Sequence, residues 1–317
     1  MRWLLTLAAA VAITPVLRRA DEAPPGQPRF VAPDGDTLRA AIFAWWDLLD
    51  RQMEARSEGA PPWMYGYIRS GAQLDTYLAA VTRAGVSRYC EIGFNGGHGT
   101  VAMLLANPNL TVVSFDLAQY PYSNRSMALL LESFPGRLRI LKGSSYGRPV
   151  TREFLKNKRA LPAADGPCDA ERDGVATCYA RAVQRGAERP CDVMLIDGDH
   201  SKDGVLADLS IMAHMAPCGA HTLLMDDIAD TTNVGVAVDQ VRKSRFIDVT
   251  HHAVFAQNSD PDNPCMRWKD KVVHAQKGVR CAHRWGFLEA RFTKPPLCET
   301  RTRRRERAGA AAAPTAP

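Results

Sequence analysis

The stretch Arg88-Tyr89-Cys90-Glu91-Ile92-Gly93-Phe94-Asn95-Gly96-Gly97-His98-Gly99-Thr100 decides the fold. A short apolar run ends at an acid and a glycine. Four glycines then fall between positions 93 and 99, and a helical pattern opens at once. Glycine lets a backbone turn sharply and lets a ligand approach it closely. The helix that follows adds N–H groups with no intrahelical partner. The pattern predicts strand, tight turn and helix in that order.

Outward from this turn, short apolar runs alternate with helical periodicity. Strands are expected at 88–93, 110–116, 138–142, 191–197 and 221–226, with helices at 97–106, 123–133, 150–159, 203–215 and 234–245 between or after them. Two last strands, 247–256 and 286–292, have no helix between them. The alternation predicts an α/β, doubly wound, mostly parallel seven-stranded sheet covered on both faces. The final pair predicts an antiparallel hairpin at its edge. Two helices come first, 36–56 and 74–84. The earlier one carries Leu38, Ile42, Trp45, Trp46 and Leu49 on one side, with Asp36 near its N-cap. Residues 160–190 and 257–284 read as loop-rich insertions. The whole domain is expected to run from 36 to 298, after a Pro/Gly-rich linker at 21–35.

Asp116 closes the strand after the glycine turn. A carboxylate at that strand tip can hydrogen-bond both hydroxyls of a ribose. A dinucleotide would want a glycine two residues after Gly93, and a phosphate-binding P-loop would want a lysine; neither is present. S-adenosylmethionine is the nucleotide left, beside a turn that binds nothing. Further on, Val193-Met194-Leu195-Ile196-Asp197-Gly198-Asp199-His200 and Leu223-Leu224-Met225-Asp226-Asp227 each end a strand in acids. Ligands of open α/β sheets bind outside the carboxyl ends of the strands, so these acids should converge. Three carboxylates together repel unless a cation lies between them, and oxygen ligands suit Mg²⁺, Ca²⁺ or Mn²⁺. The bland reading makes one of them a helix cap and another a solvated group; Asp199 suits a capping role.

The string Glu91-Ile92-Gly93-x-Asn95-x-Gly97 resembles the first motif of class I methyltransferases, which have a Rossmann-like fold. With Leu195-Ile196-Asp197-Gly198-Asp199-His200 and Asp226-Asp227 downstream, residues 71–245 resemble the cation-dependent O-methyltransferases. The likeness is nearest to the branch acting on small molecules and sugars, and more distant to catechol O-methyltransferase. It implies an S-adenosylmethionine-dependent, Mg²⁺-assisted methyl transfer to a hydroxyl. It also implies metal ligands Asp197, Asp226 and Asp227. Glu91, Gly93, Asn95 and Gly97 would line the methionine end of the cofactor, Asp116 its ribose, and Ser144 its adenine side. His200 stands where catechol enzymes carry a basic lysine, three residues after the first metal acid. It is expected to act as the catalytic base, with Asp197 beside it; a plain surface histidine is the alternative.

Charge and cysteines bound the rest. With 46% apolar and 23% charged residues the chain is neither fibrous nor wholly disordered, and no polytopic membrane protein. The formal charge of +6 sits at the ends: Arg2, Arg18 and Arg19 at the start, and five arginines between Arg301 and Arg307. Residues 21–298 carry no net charge, so a nucleic-acid partner is not expected. The acceptor is expected to be a small molecule or glycan. Residues 1–20 read as a signal peptide or signal-anchor, or as an organelle transit peptide, because the apolar run from Leu4 to Leu17 is short for a spanning helix. A lumenal, secreted or membrane-anchored protein is therefore expected, with 299–317 as a basic tail. Among eight cysteines, Cys168 with Cys178 and Cys265 with Cys281 look like loop staples, and Cys90 like a buried free thiol. Two other readings stand beside the O-methyltransferase: a nucleic-acid or protein methyltransferase, and a binding module that has lost turnover.

Overall fold

The computed structural model describes residues 35–54, 68, 71–147, 167–229, 232–255, 267–268, 271–272 and 285–298. The leader, the linker before Gly35, the helix expected at 150–159, Cys265, Cys281 and the basic tail lie outside the described residues. The helices are α1 (Gly35–Glu54), α2 (Gly71–Thr82), α3 (His98–Ala106), α4 (Pro121–Ser133), α5 (Ala170–Asp173), α6 (Val175–Arg185), α7 (Lys202–Ala213) and α8 (Asn233–Lys243). The strands are β1 (Arg88–Ile92), β2 (Thr111–Asp116), β3 (Leu138–Lys142), β4 (Val193–Ile196), β5 (Thr222–Met225), β6 (Ile247–Phe255), β7 (Arg267–Trp268), β8 (Lys271–Val272) and β9 (Trp285–Phe292).

Seven strands form one mixed, mostly parallel sheet in the order β3-β2-β1-β4-β5-β9-β6, and β7 pairs with β8 apart from it. The chain reverses its direction across the sheet between β1 and β4, which creates the switch point where such sheets bind ligands. β1 pairs with β4 in parallel, Ile92 opposite Ile196, and β4 pairs with β5 in parallel, Ile196 opposite Met225. The next residue of each strand is therefore Gly93, Asp197 or Asp226, level along one edge. All four residues of β4 and of β5 are buried, as strands covered on both faces require. The edge hairpin is present, with one refinement: β9 returns between β5 and β6, antiparallel to both, and β6 forms the edge.

The chain divides into two compact units. The first holds residues 1–87, 94–114 and 118–140, and the second holds 88–93, 115–117 and 141–317. In the first unit, Leu38, Ile42, Trp45, Trp46 and Leu49 of α1 are buried as their spacing predicts. Trp45 packs on Phe134, ring centroids 5.5 Å apart. α3 is buried nearly all round, consistent with its run of Val101, Ala102, Met103, Leu104 and Leu105.

Two expectations need correction. The insertion at 160–190 is not loop throughout: residues 170–173 and 175–185 are helical. Val175, Ala176, Tyr179, Ala180 and Val183 give α6 a buried stripe. Asp169 caps α5 by accepting from the N–H groups of Glu171 and Arg172. Cys90 is not a free thiol; it is bonded to Cys191, 101 residues away. Cys90 is on β1 and Cys191 precedes β4, so strand pairing brings the two sulfurs together. Cys168 and Cys178 form the second disulfide, as their spacing predicts.

Candidate functional site

In the second unit four strand ends are tied together by backbone hydrogen bonds. Gly93 N–H donates to the Phe115 carbonyl (2.9 Å), Asp197 N–H to Ile92 (2.9 Å), and Gly143 N–H to Asp116 (2.8 Å). Gly93 has φ of 101°, and a Cβ there would lie 1.9 Å from the Asp197 carbonyl oxygen. Only glycine fits, so the β1 turn closes directly over the tip of β4. Glu91 is buried and its Oε2 accepts from the Tyr89 hydroxyl at 2.9 Å. Asp116 is half-buried at the end of β2, and Ser144 is half-buried in the loop after β3. Asn95 and Gly97 belong to the first unit. Asn95 has φ of 49°, an uncommon conformation for a residue with a side chain, and its Oδ1 accepts from Tyr122 OH at 2.6 Å. Gly97 caps α3 with φ of 85°; a Cβ there would meet the Phe94 ring at 2.7 Å.

The acids after β4 and β5 separate into two kinds. Asp197, His200 and Asp227 gather so that one ligand atom from each lies within 4.8 Å of the others. His200 Nε2 is 3.7 Å from Asp197 Oδ1 and 3.4 Å from Asp227 Oδ2. The His200 side chain is 55% exposed, against 27% for Asp197 and 14% for Asp227, so the imidazole is the member a solute meets first. Asp226 stands outside this group. It is buried, and its Oδ1 accepts the Asp227 N–H at 2.7 Å. Asp227 has φ of 55°, so the chain turns left-handed at this point. Strain of this kind persists where surrounding structure enforces it, and it clusters at functional sites. Asp199 is not the helix cap: it accepts from Ser201 N–H at 2.7 Å and from the Tyr146 hydroxyl, while Ser201 itself caps α7.

Residues 90–228 match the family model of a methyltransferase domain. Over those residues the chain is similar to methyltransferase domains. The match runs from β1 to just past Asp227 and so includes every strand tip described above. No curated protein matches the sequence. Among solved structures, the Bacillus cereus O-methyltransferase with S-adenosylhomocysteine is 12% identical, covers 83% of this chain and 94% of its own, and has a TM-score of 0.46. The O-methyltransferase TomG of Streptomyces achromogenes, with S-adenosylmethionine, is 12% identical, with coverages of 84% and 93% and a TM-score of 0.44. The precorrin-6y C5,15-methyltransferase of Geobacter metallireducens is 10% identical, with coverages of 74% and 94% and a TM-score of 0.41.

This donor set suits a divalent cation. Two half-buried carboxylates and one imidazole converge, and both oxygen and imidazole nitrogen serve ions such as Mn²⁺, with Mg²⁺ preferring the oxygens. The residues also suit a nucleoside. Asp116 offers a carboxylate at the end of β2.

Other residues beside these carry contacts of their own, and of them Asp208 was not singled out from the sequence. Asp208, on α7, is fully buried and accepts from Ser145 Oγ at 2.6 Å. Burial pushes its carboxyl up to about 7; the Ser145 hydrogen bond opposes this and the charge of Asp199 adds to it. Burial also raises the Tyr146 phenol, and its bond to Asp199 raises it further. For Asp199 itself burial acts upward, but the hydrogen bonds from Tyr146 and Ser201 outweigh it and hold the carboxyl below its ordinary range. In the first unit, His98 Nε2 lies 3.1 Å from Asp50 Oδ1, and Trp46 Nε1 donates to the His98 carbonyl at 2.9 Å. The only sequence signal for these was their placement beside the motifs.

Proposed function

We propose that this chain is an S-adenosylmethionine-dependent methyltransferase that transfers a methyl group to a hydroxyl of a small molecule or sugar, with a divalent cation held beside the acceptor. The observation that carries this reading is the gathering of Asp197, Asp227 and His200 at the ends of two adjacent parallel strands. Asp197 and Asp227 would hold the cation. Asp226, buried one residue earlier, supports the turn that presents Asp227 through its bond to the Asp227 N–H. Asp116 would bind the ribose of the donor, Gly93 would let the donor approach the β1 turn, and Ser144 with the rest of loop 143–147 would border the adenine.

A sulfonium-bound methyl group is already activated, so the protein's task is to present an oxygen nucleophile in line with it. A bound cation would lower the pKa of a coordinated hydroxyl. His200 then holds the chemistry that remains. An imidazole nitrogen can accept the hydroxyl proton. The carboxylates at 3.4 and 3.7 Å stabilise the imidazolium that results. The same proximity favours a second reading, in which His200 is a third ligand rather than the base.

Two features weigh against a nucleic-acid acceptor. Residues 21–298 carry no net charge, and position 197–200 reads Asp-Gly-Asp-His, where base N-methylators carry an Asn/Asp-Pro-Pro-aromatic loop. The two disulfides support an oxidising, secretory-pathway compartment. The test is transfer from radiolabelled donor to catechol and sugar acceptors with Mg²⁺ or with excess chelator. Transfer that needs Mg²⁺ and is lost in Asp197→Ala, with donor binding kept, supports the proposal. Full activity in chelator rejects it.

A further inference from the structure

Loop 143–147 is held from behind by a segment peculiar to the insertion. Gly147 N–H donates to the Asp173 carbonyl (3.0 Å), Val175 N–H to Ser144 (2.8 Å) and Thr177 N–H to Ser145 (3.1 Å). The two backbones touch with no side chain between them. A Cβ on Gly147 would lie 1.7 Å from the Arg172 carbonyl oxygen, and one on Gly174 would lie 2.5 Å from the Tyr146 backbone. Any shift of residues 172–177 is therefore passed to the loop directly.

Residues 172–177 are held at one end by the buried stripe of α6, to which Val175, Ala176 and Thr177 belong, and across the stretch by the disulfide between Cys168 and Cys178, which closes it into a ring. Arg181 ties the ring shut: its Nη1 donates to Cys168 Sγ at 3.1 Å and to Asp173 Oδ2 at 2.9 Å. Within the ring, α5 is four residues long and buries none of them. A single turn of helix has no stability of its own, so the cross-link and the Arg181 contacts set its position.

We propose that the Cys168–Cys178 disulfide is a positioning element for the methyl donor, so that donor affinity depends on the oxidation state of this pair. The inference rests on the reading of loop 143–147 as the adenine side of the donor site. Cys168 and Cys178 are half-buried, whereas Cys90 and Cys191 are fully buried, so a dithiol reaches the first pair before the second. A thiolate of the dithiol attacks one of the two sulfurs, the S–S bond breaks, and the other cysteine leaves as thiolate and takes a proton. The second thiol of the reagent then displaces the first cysteine. The protein gains two electrons and two protons, and the reagent ends as a cyclic disulfide.

The experiment is calorimetric titration of the full chain with S-adenosylhomocysteine, before and after dithiothreitol, with peptide mass spectrometry to show which pair has opened. Opening Cys168–Cys178 alone should weaken binding by about tenfold, a part of the closure free energy of a ring this short. Reoxidation should restore it. In turnover, the donor KM should rise while kcat at saturating donor stays within about twofold. The Cys168→Ser/Cys178→Ser variant should behave as the reduced protein does. Gly147→Ala, which presses on the same junction without touching a cysteine, should weaken binding too. Unchanged affinity in the reduced, folded protein overturns the inference, as does an oxidised protein without this cross-link. No binding by the oxidised wild type overturns the donor reading itself, and the inference with it.

Discussion

Replacing Asp208 by Asn tests the electrostatics behind loop 143–147. The carboxyl is fully buried, and among the described residues it accepts from the neutral Ser145 hydroxyl. Its ordinary value is 3.8, and in the folded chain it is pushed up to about 7. Between those values the folded state binds a proton that the unfolded state has released, so stability falls as pH rises from 4 to 7 and levels off above. From pH 5 to pH 8.5 the group spans roughly 2 units, which amounts to about 3 kcal/mol of stability lost by the wild type. Asn keeps an oxygen for Ser145 and carries no charge. The variant should therefore match or trail the wild type at pH 5 and exceed it at pH 8.5. Urea unfolding at the two pH values gives four free energies, and the difference of differences isolates this residue. A pH dependence in the variant equal to that of the wild type would refute the reasoning, because the proton would then be bound elsewhere.

Other perturbations reach the remaining parts. His200→Gln should lower kcat by about 100-fold while cation affinity holds if the imidazole is the base, and should weaken cation binding if it is a ligand; kcat against pH and a Mn²⁺ titration separate the two. Breaking the buried cross-link with Cys90→Ala and Cys191→Ala should cost about 3–5 kcal/mol in urea unfolding, since the bond closes a loop of 101 residues. Tyr122→Phe removes the hydroxyl that Asn95 accepts at 2.6 Å, and should cost about 1 kcal/mol in urea unfolding.

Much of the sheet is legible because parallel strands buried on both faces leave continuous apolar runs, as in Val193–Ile196 and Thr222–Met225. The acids that end those runs are legible for the same reason. What sequence cannot separate is Asp226 from Asp227. Successive side chains along an extended chain point to opposite sides, and the left-handed turn at Asp227 is set by tertiary structure. The helical stripe of α6 is present in the sequence, yet Gly, Asp and Cys around it read as loop. The Cys90–Cys191 bond depends on β1 lying beside β4, a neighbour relation created by the reversal of strand order and not by spacing. The burial of Asp208 likewise follows from which face of α7 meets the loop after β3.

The most direct measurement is electron paramagnetic resonance of Mn²⁺ titrated into the full chain with S-adenosylhomocysteine present. Wild type should bind one ion per chain, and the Asp197→Ala/Asp227→Ala variant, still folded and still holding the nucleoside, should bind none. Equal Mn²⁺ occupancy in the two proteins would contradict a cation held between the tips of β4 and β5.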